Sequence, residues 1–339
     1  MKRVAVVGAG SWGTGVAWLL GTKGVPVSLW ARSAEVAEGI TATRRNPRYL
    51  RDVVLPSDVV ATHDIERAVR SVDVVVVATP SQGVREAAEH IAPFLGPRTT
   101  VVSLAKGLES GSLLRMTEVL ADVLGGPERL AALSGPNHAE EVSRGIPSTT
   151  VIAAYDEAVG LQLQDLFMAP SFRVYTNADV RGVELAGASK NVIAVAAGMS
   201  DGIGYGDNSK ASLMTRGLAE MTRLGRHMGA NQLTYMGLAG MGDLIATCTS
   251  QHSRNRALGE SVARGGTIAS YDEATHMVAE GAVSCVTVDE LARRLGVELP
   301  ITHVVRAILH EGMAPANAVE SLMMRGATDE LHGMGLVED

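Results

Sequence analysis

Three glycines open the chemistry of this 339-residue chain: Gly8, Gly10 and Gly13 in GAGSWG, directly after the apolar run VAVV and before a stretch with helical spacing. In a strand, turn, helix unit the first permits a tight turn and the second lets backbone approach a pyrophosphate. The third lets the helix pack closely on the strand. A dinucleotide site is therefore expected. The second strand ends in LWARS, where Arg32 replaces the acidic residue that would take the ribose hydroxyls of NAD. A guanidinium there suits the 2'-phosphate of NADP. In the second half, Lys190 sits midway along ELAGASKNVIAVAAGM, with uncharged helical neighbours Ala186, Gly187, Ile193 and Ala194. Such a lysine either snorkels to the surface or lies at a cleft where it can exchange a proton. Asn191 beside it is placed to hydrogen-bond a substrate oxygen.

Further along, GLAGMGDLIATCTSQHSRNRALG puts Asp243 after three glycines, with Thr247 one turn on. Asp243 reads either as a helix N-cap or as a site carboxylate. Ser253 has cap chemistry, and Arg254, Asn255 and Arg256 fill the turn behind it. Two guanidinium groups at a helix N-terminus oppose the dipole unless an anion binds there. Lys106 in SLAKGLE, and Gly135, Asn137 and Ala139 in SGPNHAEEV, follow strands, where open parallel sheets bind their ligands. His138 reads either as a general base or, as a lone loop histidine, as a packing residue.

The elements that must position these residues change character along the chain. β-Branched runs at 4–8, 25–30, 72–78, 99–105, 130–135 and 149–155 alternate with helical stretches up to about Asn177. That alternation predicts an α/β, Rossmann-like domain with a doubly wound, mainly parallel sheet. VDVVVVA carries no polar residue after Asp73 and should be a central strand. Beyond it the spacing is helical throughout, which predicts an all-α C-terminal domain. The domains are expected at 1–178, for the dinucleotide, and 179–339, for substrate and catalysis. No proline- or serine-rich linker separates them, so they are expected to pack with a cleft between.

A net charge of −7, with lysine and arginine scattered, argues against a nucleic-acid partner. Cys248 and Cys285 have neither redox-pair nor zinc-ligand spacing and read as free thiols of a reducing compartment. MKRVAVVGAG makes a poor signal peptide, and no apolar run is long enough to span a membrane. A cytoplasmic protein is expected. Met214, Met221, Met228, Met236 and Met241 fit either a subunit interface, hence a homodimer, or core packing.

Eight stretches in order along the chain, taken together, are similar to the bacterial NAD(P)-dependent glycerol-3-phosphate dehydrogenase family. They are GAGSWGT, the N-P-x-Y-L segment with its later LP at 46–56, KGLE, SGPNHAEEV, ELAGASKNV, GDNSKASLMTRGLAEM, the long GLAGMGD stretch and VAEG. The resemblance implies reversible reduction of dihydroxyacetone phosphate by NADP(H) or NAD(H) to sn-glycerol 3-phosphate, feeding glycerophospholipid synthesis without a metal. It makes Lys190 the proton donor. Its substrate contacts fall on Lys106, Gly135, Asn137, Lys190, Asp243, Ser253, Arg254 and Asn255, with Asp243 orienting the lysine. Its cofactor contacts fall on Ser11, Trp12, Arg32, Tyr49, Lys106, Ala139, Arg254 and Glu280, beside the three opening glycines. Asn137 replaces the serine or threonine of many relatives, Ser189 a leucine, and YLRDVVLP lacks a glycine, which bears on Tyr49. Two other readings are a β-hydroxyacid dehydrogenase acting on a carboxylate, and a nucleotide-sensing module without turnover.

Overall fold

The structure, a computed structural model, describes residues 2–275, 278–324, 326 and 329–330. The chain forms two compact units, one of residues 1–106 and 114–180, the other of 107–113 and 181–339. The first unit begins with β1 (Val4–Val7), α1 (Ser11–Thr22), β2 (Val27–Trp30), α2 (Ala34–Thr43), β3 (Val59–Thr62) and α3 (Ile65–Val69). It continues with β4 (Val74–Val77), α4 (Val84–Ile91), β5 (Thr100–Ser103), α5 (Met116–Leu124) and β6 (Leu130–Ser134). It closes with α6 (Ala139–Val142), β7 (Ser148–Ala154), α7 (Glu157–Phe167) and β8 (Phe172–Asn177).

The strands form one eight-stranded sheet in the order β3-β2-β1-β4-β5-β6-β7-β8, parallel except where β7 runs against β6. β4 is four consecutive valines buried on both faces, as a central strand covered by helices requires. The order reverses between β1 and β4, and a ligand crevice opens beyond the carboxyl ends of strands at such a point. The glycine turn leaves β1 there. Two strands were not expected from the residues, β3 and β8. Both are edges, with burial interrupted along their length, so neither leaves a continuous apolar run.

The second unit holds α8 (Val180–Ile203), α9 (Asp207–His227), α10 (Gln232–Tyr235), α11 (Asp243–Thr249), α12 (Arg254–Ala263), α13 (Ile268–Thr275), α14 (Gly281–Leu295), α15 (Pro300–His310) and α16 (Pro315–Met323). α8 is rich in alanine and glycine because neighbours press on its backbone. A Cβ on Gly198 would stand 1.9 Å from the Arg256 carbonyl oxygen, and one on Gly259 2.0 Å from that of Val195. α8 and α12 therefore meet backbone to backbone. α15 has no side-chain cap of its own, and Glu220 on α9 supplies one. Its carboxylate accepts from the N–H groups of Ile301 (2.6 Å) and Thr302 (3.2 Å). Leu108 and Leu113, from the segment that joins this unit, pack with Leu185, Ala188, Leu224 and Val288. Met221 is core, Met214 packs at its edge, Met228 packs instead against the Leu108 and Leu113 cluster, and Met236 and Met241 are exposed.

Candidate active site

In the first unit, the glycine turn meets the demands of a phosphate cradle. Gly8 has φ +117°, and a Cβ there would lie 2.8 Å from the Ala78 carbonyl oxygen. A Cβ on Gly13 would lie 1.9 Å from the Gly8 oxygen, whereas one on Gly10 would meet nothing within 4 Å. So two glycines are required by packing, and the third faces open space. α1 starts behind them with no side-chain cap and no acidic residue in its first turn. An uncapped helix N-terminus beside open backbone suits an anion, so these residues fit the diphosphate of a dinucleotide. Ser11 and Trp12 begin that helix, and the Trp12 ring lies 6.4 Å from that of Phe172. Arg32 is exposed just past β2.

The remaining first-unit residues follow later strands. Lys106 Nζ donates to the Gly135 carbonyl oxygen at 3.0 Å, joining the loops after β5 and β6. Asn137 turns its amide to β7, where it donates to Thr149 O (3.0 Å) and accepts from Thr150 Oγ1 (3.0 Å). Ala139 opens α6 against α1, at Gly15. Tyr49 is half-buried, and its backbone N–H donates to Asn46 Oδ1 at 3.0 Å. Asn46 itself had no role in the sequence reading. Its place in the N-P-x-Y-L stretch was the available signal, yet only the fold shows that it reaches Ala9 and Thr14.

In the second unit, Lys190 and Asp243 form a buried ion pair, 3.0 Å from Nζ to Oδ1, with 5% and 3% of each residue exposed. Lys190 also donates to Thr247 Oγ1 at 2.7 Å, and that hydroxyl donates to the Asp243 carbonyl oxygen at 2.6 Å. The lysine does not snorkel. A π-helical turn, Leu238–Gly242, leads into α11, and a Cβ on Gly240 would sit 2.1 Å from the Tyr235 carbonyl oxygen. Short π segments recur at functional sites because they re-aim the residues that follow. Asp243 and Thr247, one turn apart, both reach Lys190, so the carboxylate is not spent as a cap. Next in line, Cys248 is neutral, since burial pushes its thiol up to about 12 against the smaller pull of Lys190.

α12 begins beside this pair. Ser253 caps it by accepting from Arg256 N–H at 3.2 Å. Asn255 donates to Asn191 Oδ1 (2.9 Å) and accepts from Gly281 N–H (2.9 Å), so one amide ties α8 to the start of α14 beside Glu280. The two arginines separate. Arg256 is paired with Asp201 at 2.7 Å, a partner the window around it could not reveal. Arg254 is exposed, its Nη1 3.4 Å from Val278 O. Of the expected pair, Arg254 is the one left exposed. A cavity of about 660 Å³ also opens in this unit among Met199, Ile203, Leu213 and Val304, and no residue assigned to chemistry lines it.

Comparison with known proteins finds two family models along the chain. Residues 3–160 match the model of the NAD-dependent glycerol-3-phosphate dehydrogenase N-terminus, and 179–320 that of its C-terminus. A glycerol-3-phosphate dehydrogenase (NAD(P)+) of Pelotomaculum thermopropionicum is 48% identical over 336 residues, 98% of this chain and 96% of the relative. One of Streptomyces coelicolor is 49% identical over 329 residues, 97% of this chain and 98% of the relative. The crystal structure of glycerol-3-phosphate dehydrogenase from Coxiella burnetii superposes with a TM-score of 0.92 at 37% identity, covering 96% of this chain and 99% of that one.

Proposed function

We infer the reaction from one premise: the chain belongs to the NAD-dependent glycerol-3-phosphate dehydrogenase family, and it interconverts dihydroxyacetone phosphate and sn-glycerol 3-phosphate. The observation that carries this reading is the buried Lys190–Asp243 pair at 3.0 Å beside the start of α12. Near-half identity over almost the whole chain to enzymes named for a phosphorylated substrate weighs against the carboxylate alternative.

The nicotinamide, when bound, supplies the hydride that reduces the C2 carbonyl. Lys190 donates a proton to the oxygen of that carbon as it becomes an alkoxide, and solvent then restores the ammonium. Asp243 and Thr247 hold the ammonium in place, and Asp243 binds a substrate hydroxyl. Arg254 and the α12 N-terminus with Ser253 and Asn255 anchor the phosphate, a group remote from the reacting carbon whose binding energy orients it. On the first unit, Lys106, Gly135 and Asn137 contact substrate. Gly8, Gly10, Ser11, Trp12, Gly13, Arg32, Tyr49, Lys106 and Ala139 hold the dinucleotide, with Arg254 and Glu280 from the second.

A cytoplasmic setting in phospholipid precursor supply belongs to the same proposal, supported by two cysteines kept as buried free thiols. So does a homodimer, on the strength of the exposed Leu233, Met236, Met241 and Ile245. The acidic charge of the chain supports the absence of a nucleic-acid partner. The test is the rate of NADPH and NADH oxidation by purified protein with dihydroxyacetone phosphate. Turnover is expected, and Arg32→Ala should weaken NADPH more than NADH. No oxidation of either nucleotide would refute the assignment.

A further inference from the structure

Asn46 lies on the loop after α2, is fully buried, and uses its whole hydrogen-bonding capacity. Its Nδ2 donates to Ala9 O at 2.9 Å and to Thr14 Oγ1 at 2.9 Å. Its Oδ1 accepts from the N–H groups of Arg48 at 2.9 Å and Tyr49 at 3.0 Å. The first two bonds grip the glycine turn on both sides of the start of α1. The last two grip the segment that carries Tyr49.

The bond to Ala9 has a geometric consequence. A trans peptide is planar, with its C=O and N–H pointing opposite ways. Fixing the Ala9 oxygen toward Asn46 therefore aims the Gly10 N–H away from it. Gly10 is the position where an added Cβ meets nothing within 4 Å, so that N–H belongs to the open part of the turn. The loop is itself pinned: the Arg44 guanidinium donates to Leu55 O at 3.0 Å and to Val59 O at 2.9 Å. Asn46 thus presses from a fixed base rather than following the turn.

We propose that Asn46 is a positioning residue for the dinucleotide: it holds the Gly8–Gly13 turn in its phosphate-accepting form and registers Tyr49 against it. The proposal rests on the reading that this turn takes a diphosphate. Aspartate is the informative replacement, since it keeps the shape and both acceptor bonds but, once ionised, cannot donate to Ala9 O. It also places a carboxyl group behind amides meant for an anion.

The experiment measures NADPH dissociation constants by fluorescence for wild type, Asn46→Asp and Asn46→Ala, alongside KM for each substrate and kcat. Wild type comes first: if it does not bind NADPH, the dinucleotide reading fails, whatever Asn46 does. Given binding, Asn46→Asp should lose about tenfold to a hundredfold in NADPH affinity, the worth of bonds at a charged site. KM for dihydroxyacetone phosphate at saturating NADPH should stay within about twofold. The loss should deepen as pH rises and the new carboxyl ionises, read at the low and high ends of the range in which the protein stays folded. An Asn46→Asp protein that melts like wild type and binds NADPH equally well at both ends of that range overturns the proposal. So does an equal loss for both substrates with no pH dependence. Asn46→Ala, if folded, should lose affinity without the pH trend.

Discussion

Lys190 has only 5% of the residue exposed, and Asp243 and Thr247 meet its Nζ at 3.0 and 2.7 Å. Removing one partner of a buried pair is costly, on the order of 3–5 kcal/mol, because the other charge stays behind. Lys190→Ala should therefore cut kcat by about a hundredfold to ten-thousandfold while NADPH affinity stays near wild type. Retention of a tenth of the wild-type rate would remove Lys190 from its role. Thr247→Val keeps the shape but not the hydroxyl and should cost kcat more than KM. At this scale the sequence was informative about types and poor about partners. A lysine amid alanines was visible as anomalous, whereas Thr247 is 57 residues away in sequence and reaches it only through the π turn before α11. Arg256 shows the converse, since its local setting suggested an anion site and its long-range partner Asp201 accounts for it.

Elements carry a different kind of prediction. Glu220 sits between α9 and α15, and burial pushes its carboxyl up to about 7 despite the N–H groups of Ile301 and Thr302 pulling it down. A carboxyl raised in the folded state favours folding while protonated. That contribution is present below about pH 4.5, its ordinary value, and is lost as pH rises through about 7. Melting temperatures of wild type and Glu220→Gln should therefore diverge with pH, wild type losing ground between about pH 5 and pH 8. A constant difference across that range would show that Glu220 does not titrate there. The apolar runs of the central strands were legible because parallel strands covered on both faces have no other composition available. β3 and β8 were not legible, because an edge strand shares its residues with water. The glycines of α8 and α12 signalled close packing, but which helix they met was a property of the fold.

For the whole molecule, the change from alternating strands and helices to helices alone could be read from the change of period near Asn177. What could not be read is that residues 107–113, between β5 and α5, belong with the helical body. No periodicity marks so short a segment. Its signature is conformational: Leu113 holds φ +61°, a left-handed backbone that costs a leucine on the order of 1–3 kcal/mol. Burial of Leu108 and Leu113 in the helical core offsets that cost, at about 1.5–3 kcal/mol for each side chain.

A fragment ending at Ala178 would contain all eight strands yet leave both leucines bare. Light scattering should find it self-associating, and replacing the pair by serine should reduce the effect; a monodisperse fragment with both leucines intact would contradict this. During synthesis the same arrangement sets an order of events: the sheet is complete at Asn177, but its neighbouring loop waits for Val288, more than a hundred residues later on the ribosome, to find its home.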